Sequence, residues 1–319
     1  MAGGGEPALG DAFRAQQRIA GIALRTPTVA ADALRGEVGL DVRLKLETLQ
    51  PTHSFKVRGV VTASTGNHGR AVAYVADRLG IPAFVCLSSL VGEDRQSEIR
   101  RLGAEVRVAG RDQDQAVAAA LELAEERGLT FVPPFDSRDV IAGQGTIGLE
   151  LLADRAPLTI VVPLSGGGLL SGIAMVAKSI DPGIRVVGVS MERGAAMAAS
   201  LHAGRPIEVQ EVPTLAESLG GGILLDNRYT FAMTERWVDD VVLVSEDEIA
   251  QAIVFLLGRE RLLVEGAGAV GVAALLSGRL RASGEIAVIL SGANLDADRL
   301  ARLVTPERVR AVTDGGEAP

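Results

Sequence analysis

The chain has 319 residues, 47% hydrophobic and 23% charged, enough to bury a large core in two domains or in one α/β domain with an insertion. Its net charge is −8 and its aromatic content 3%, which argues against nucleic acid or an anionic membrane as a partner. One cysteine, Cys86, excludes an intrachain disulfide and a four-cysteine zinc site, and three histidines far apart in sequence argue against a histidine metal centre.

The first ten residues carry no basic stretch followed by an apolar one, and no apolar run approaches the ~18 residues needed to span a bilayer. A cytoplasmic enzyme or binding protein is expected. Along the chain, strand candidates fall at 42–46, 60–63, 83–87, 105–109, 159–163, 185–190, 240–244 and 285–290. Helical patterns lie between them at 69–79, 93–102, 112–127, 145–153, 169–179, 246–258 and 267–280. Several strands are unbroken Val/Ile/Leu runs, as in parallel strands covered on both faces. Ser245 followed by Glu248 reads as a capping box. The alternation predicts an α/β fold with right-handed crossovers.

Four glycine-rich segments could cradle a phosphate. Two match GxGxxG, at 143–148 and 266–271. A dinucleotide loop also needs an acid at the end of the next strand, ~20 residues on, and neither string has one. Close helix packing through small residues is the expectation there, with a nucleotide-binding oxidoreductase as the alternative. The third segment, Ser165-Gly166-Gly167-Gly168-Leu169, follows the strand at 159–163 and opens a helix. Its backbone N–H groups can wrap an anion, and Ser165 adds a hydroxyl. It lacks the lysine of a triphosphate loop, so it suits the monophosphate of a cofactor. The fourth, Gly220-Gly221-Gly222, has no preceding strand and reads as a loop near the site.

Lysine occurs only at positions 45, 56 and 178. Taken alone, Lys56 beside Arg58 reads as a solvated face. Four motifs occur in order: Ser54-Phe55-Lys56-Val57-Arg58-Gly59, Ser64-Thr65-Gly66-Asn67-His68-Gly69, Ser165-Gly166-Gly167-Gly168-Leu169 and Ser291-Gly292-Ala293-Asn294. Together they resemble the fold-type-II pyridoxal-phosphate enzymes of the serine/threonine dehydratase and serine racemase group. Within that group, residues 190–197 and 218–231 are most similar to the hydroxyectoine-utilisation dehydratases.

The resemblance implies a two-domain α/β fold like that of tryptophan synthase β. Open, twisted, mostly parallel sheets would carry helices on both faces. A large domain would comprise 1–59 and 141–319, with a small α/β domain inserted at 60–140. Lys56 would form the Schiff base with pyridoxal 5′-phosphate and act as base at Cα. Phe55 would pack on the ring, and Asn67 would bond its 3′-oxygen. Ser165, Gly166, Gly167, Gly168 and Leu169 would hold the phosphate, and Ser291 would face the ring nitrogen. Ser64, Thr65, Gly66 and His68 would receive the substrate carboxylate. Thr65 stands where racemases place a serine acid/base, and threonine there favours elimination over racemisation.

The implied activity is β-elimination on a β-hydroxy amino acid or a ring-opened hydroxyectoine derivative, in a homodimer. A threonine/serine deaminase or a racemase of the same fold is the nearer alternative, and a non-catalytic ligand sensor the more distant one. Three departures stand out. The group has a further helix between Gly59 and Val60, and we expect the sequence as written to close over that segment. Ser190 and Met191 occupy the place of a metal-ligating glutamate, so no metal site is expected. Little chain follows Asn294, so no regulatory C-terminal domain is expected.

Overall fold

The computed structural model describes residues 5–58, 66–89, 91–111, 113–131 and 133–313. The predicted strand at 60–63 lies outside them. The chain opens with helix α1 (Leu9–Arg18), strand β1 (Thr28–Ala30), helix α2 (Asp32–Val38) and strand β2 (Asp41–Leu46). A smaller unit follows: α3 (Asn67–Leu79), β3 (Phe84–Leu87), α4 (Glu93–Arg101), β4 (Glu105–Val108) and α5 (Gln113–Arg127). Next come α6 (Arg138–Asp154), β5 (Thr159–Pro163), α7 (Gly168–Ile180), β6 (Arg185–Met191), α8 (Ala196–Ala203) and α9 (Thr230–Trp237). The chain continues through β7 (Asp240–Val244), α10 (Glu246–Gly258), α11 (Gly266–Leu276), β8 (Glu285–Leu290), α12 (Ala297–Leu303) and α13 (Pro306–Thr313).

Six strands form one sheet in the order β1-β2-β8-β5-β6-β7, parallel except for the antiparallel edge pair of β1 with β2. Its alternating residues face two cores. Val161, Val187, Ile286 and Val288 pack toward α10 and α11, whereas Ile160, Val162, Val186 and Ile289 pack toward α6 and α7. Burial on both faces is why β5 and β8 are unbroken apolar runs. A separate two-stranded sheet pairs β3 with β4 in parallel. Val72, Ala76 and Ile99 of α3 and α4 cover Val85 and Leu87, and Ala120 and Leu123 of α5 cover Cys86 on the opposite face.

The first GxGxxG string serves contact between helices, whereas the glycines of the second meet the Leu215 carbonyl, the Gly292 backbone and Val288. A Cβ at Gly145 would lie 2.9 Å from the Gly172 carbonyl oxygen, and one at Gly148 3.1 Å from the Val176 Cβ, so α6 and α7 meet backbone to backbone. Residues 143–148 lie inside α6, where the amides already serve the helix. Helix α6 starts at Arg138, seven residues or just under two turns before the predicted 145. The capping box at Ser245 and Glu248 forms at the start of α10.

Candidate active site

The order of the large sheet reverses beside β5. From β5 the chain steps outward to β6 and β7, while β8 and β2 lie on its other side. Such a reversal opens a crevice at the carboxyl ends of the strands. Ser165 comes two residues after the end of β5, and Ser291 immediately follows β8, its parallel neighbour. Two predicted site residues from distant motifs are thus brought to one edge by sheet topology.

The lysine motif joins them through the end of β8. Ser54 forms an isolated bridge with Gly292. The Phe55 N–H donates to the Ser291 carbonyl at 3.0 Å, and the Ala293 N–H donates to the His53 carbonyl at 2.9 Å. Residues Phe55–Arg58 make a single 3₁₀ turn, a marginal element on its own. Its outer end is held by Arg58, which is 2% exposed rather than solvated. The guanidinium donates to both Glu47 oxygens at 2.8 Å and to Glu150 at 2.6 and 3.0 Å. Lys45 donates to the same Glu150 at 2.6 Å. Burial would raise the Glu47 carboxyl, but the charge and hydrogen bonds of Arg58, the Thr26 hydroxyl and the charge of Lys45 together outweigh it and hold the group below its usual range. A lysine and an arginine two residues apart gave no sign of this, because their acidic partners lie in β2's exit and in α6.

Lys56 turns the other way. Its Nζ donates to the Pro134 carbonyl at 2.8 Å and lies 5.2 Å from the centre of the Phe55 ring. Burial lowers its pKa to about 8, against the opposing charge of Glu265. Two residues after Pro134, Asp136 accepts the N–H groups of Arg228, Tyr229 and Thr230 at 2.6, 2.9 and 2.9 Å at the start of α9. Lys56, Gly66, Asn67, His68 and Ser165 line one cavity of about 920 Å³, together with the 220–222 glycines, Phe135 and Glu265. Phe55, Gly166, Gly167, Gly168, Leu169 and Ser291 do not line it. Phe55 and Leu169 pack into the core below, and Ser291 is buried at the strand end. Ser64 and Thr65 lie outside the described residues.

The glycine loop after β5 admits no side chain. A Cβ at Gly166 would sit 2.5 Å from the Phe135 ring, and one at Gly168 2.8 Å from the Gln144 Oε1. Gly167 caps α7 in the left-handed region at φ 88°, where a Cβ would meet the Met197 Cε at 2.8 Å. Such a cradle leaves the first amides of α7 as its donors. Beside it, the buried amide of Gln144 makes no hydrogen bond to any of the described residues through either atom. A confined primary amine, an anion cradle without lysine and a hydroxyl at the neighbouring strand end fit pyridoxal phosphate: aldehyde, phosphate and ring nitrogen in turn.

Asn67 opens α3, and its Nδ2 donates to Glu265 at 2.7 Å and to the Ser218 Oγ at 3.3 Å. Its Oδ1 accepts from Asn294. Burial pushes the Glu265 carboxyl up to about 7, opposed by hydrogen bonds from Asn67 and Ser218, the charge of Arg70 and the Asn294 N–H. Glu265 was missed in the sequence. The signal is an acid immediately before the second GxGxxG string, where the sequence points to helix packing or a nucleotide loop and assigns the acid no part. Asp136 and Pro134 gave no comparable signal.

A family model described as pyridoxal-phosphate dependent enzyme, PALP, matches residues 58–292. The chain belongs to this family. It is 48% identical over 301 residues to a Sinorhizobium fredii protein assigned by name as a threonine dehydratase, spanning 89% of this chain and 91% of that one. It is 39% identical over 321 residues to the L-threonine ammonia-lyase of Thermotoga maritima, spanning 95% and 79%. Maize serine racemase superposes with a TM-score of 0.87 at 31% identity, covering 93% of this chain and 97% of that structure. The fold is the fold-type-II architecture of pyridoxal-phosphate dependent enzymes, and the cofactor is pyridoxal phosphate.

Proposed function

We propose that this chain is a lyase that removes the β-hydroxyl of a small β-hydroxy amino acid, with threonine the first candidate and a ring-opened hydroxyectoine derivative the second. The observation that carries this reading is Lys56, an amine with a pKa near 8 facing the cavity that Asn67, His68 and Ser165 also line. Pyridoxal phosphate, when bound, supplies an electron sink next to the substrate Cα.

The residues of the chain would then act as follows. Lys56 would hold the cofactor through its amine and would take the proton from the substrate Cα. A pKa near 8 leaves an appreciable neutral fraction at physiological pH. Ser165 and the amides of Gly166, Gly167, Gly168 and Leu169 hold the phosphate. Ser291 offers a hydroxyl to the ring nitrogen, which does not force that nitrogen to carry a proton as an aspartate would. Asn67 donates to the ring oxygen, and Phe55 backs the ring. Ser64, Thr65, Gly66 and His68 receive the substrate carboxylate.

Two relatives named for threonine elimination support the reaction class, and a cavity of about 920 Å³ leaves room for a substrate longer than threonine. The racemase reading draws on the maize structure, and the identity of Thr65 weighs against it. The same reading carries a large domain of 1–59 and 141–319, a small one of 60–140, a homodimer and a cytoplasmic location. Among the described residues no helix is long and apolar enough to cross a membrane. Replacement of Lys56 by Ala tests the mechanism. Formation of 2-oxobutanoate from threonine should stop, and turnover retained by the pure variant would refute the assignment of Lys56.

A further inference from the structure

We propose that Glu265 is a positioning residue for Asn67, fixing which end of its amide faces the cofactor. The inference rests on the pyridoxal-phosphate reading of the cavity. A primary amide has an accepting end and a donating end, and a half-turn about its last bond exchanges them. Only the donating end can serve a ring oxygen.

The surroundings of Asn67 permit one orientation. At one end the Nδ2 donates to Glu265 at 2.7 Å, and at the other the Oδ1 accepts from the Asn294 Nδ2. Exchange of the two ends would set the amide oxygen against the Glu265 carboxylate and one NH₂ group against another. Glu265 is itself anchored: it accepts from the Ser218 hydroxyl and from the Asn294 N–H, and the charge of Arg70 faces it. Asn294 is held as well, donating to the Thr52 carbonyl at 3.0 Å. The second hydrogen of Nδ2 has only a long contact, 3.3 Å to the Ser218 Oγ. That hydrogen is the one left to donate to a ring oxygen.

The arrangement also joins the two sheet units, because Asn67 begins α3 beside the small sheet while Glu265 precedes α11 on the large one. Neither residue can play this part alone. The Glu265 charge also raises the pKa of Lys56, so the comparison is made above pH 9, where that amine is neutral; there Glu265 acts through Asn67, and its worth to cofactor binding should vanish when Asn67 is absent.

A double-mutant cycle on the full chain tests this. Wild type, Glu265→Gln, Asn67→Ala and the double variant are titrated with pyridoxal phosphate, read by the visible band that appears when Lys56 captures it. The circular dichroism of each variant is recorded alongside. Glu265→Gln and Asn67→Ala should each weaken binding about tenfold, the worth of one good hydrogen bond, and the double variant should bind no more weakly than Asn67→Ala. Wild-type affinity in Glu265→Gln would overturn the proposal, as would losses that simply add in the double variant. If Glu265→Gln does not fold, Asn294→Ala repeats the cycle from the other end of the amide, with the same expected pattern and the same refutation. Absence of any band in wild type would overturn the cofactor reading, and this proposal with it.

Discussion

Arg58 and Glu150 are joined twice in the interior, Nη1 to Oε1 at 2.6 Å and Nη2 to Oε2 at 3.0 Å, 92 residues apart in sequence. Through this pair helix α6 holds the turn that carries Lys56. Replacing Arg58 with Met would leave Glu47 and Glu150 buried with one fewer counter-charge, a loss of about 3–5 kcal/mol in unfolding free energy. Chemical denaturation of the cofactor-free protein measures it. Arg58→Lys keeps the charge but not the fork and should fall between the two.

The amine of Lys56 sets a pH dependence for cofactor capture. With its pKa near 8, only the neutral amine attacks an aldehyde. The rate at which cofactor-free protein captures pyridoxal phosphate should rise about tenfold per pH unit below 8 and level off above it. Stability follows the same group. Between about 8 and the ordinary 10.5, the unfolded chain holds a proton that the folded chain has released, so stability rises with pH across that window. Lys56→Met should lose that rise. A capture rate still climbing at pH 10 would contradict the assignment.

Glu265 acts with the opposite sign. Its carboxyl titrates near 7 when folded and near 4.5 when unfolded, so the folded chain holds the extra proton between those values. Stability from this group is present at pH 4.5 and is lost as pH rises through 7. Thermal midpoints of Glu265→Gln and of wild type, compared from pH 4.5 to 8, should diverge in favour of the variant up to about 7 and then run parallel.

Gly167 is the strictest position of the phosphate cradle. At φ 88° any side chain costs about 1–2 kcal/mol, and here it would also press on Met197. Gly167→Ala should lower the affinity for pyridoxal phosphate at least tenfold. Inorganic phosphate, a competitor at the same cradle, should lose affinity alongside it. Equilibrium titration of each checks this. Gly278→Ala, also at positive φ, with open space around its Cβ and away from the cavity, is the control for backbone strain alone.

Much of the fold could be read from the chain because the central parallel strands β5 and β8 are buried on both faces. The runs at 159–163, 240–244 and 285–290 match β5, β7 and β8 to the residue. Strand β1 was missed because three residues at an antiparallel edge leave no pattern. Five helices of seven or eight residues, α2, α8, α9, α12 and α13, were missed because so short a helix shows barely two turns of periodicity, and the ten-residue α1 was missed as well. In the site, the glycine cradle was legible because an anion cradle is contiguous, whereas Lys56 taken alone reads as a solvated face and stands out only through the resemblance that four motifs carry together. Glu265, Asp136 and the Glu47–Glu150 pair were not, because each matters through partners that only the topology brings near.

The most direct measurement is the visible absorption spectrum of the purified protein with pyridoxal phosphate, before and after adding threonine, serine, hydroxyaspartate or a ring-opened hydroxyectoine derivative. The account predicts a band that depends on Lys56, shifts with one of these amino acids and is accompanied by release of a 2-oxo acid or an unsaturated product. No band with added pyridoxal phosphate, or the same band in Lys56→Ala, would contradict it.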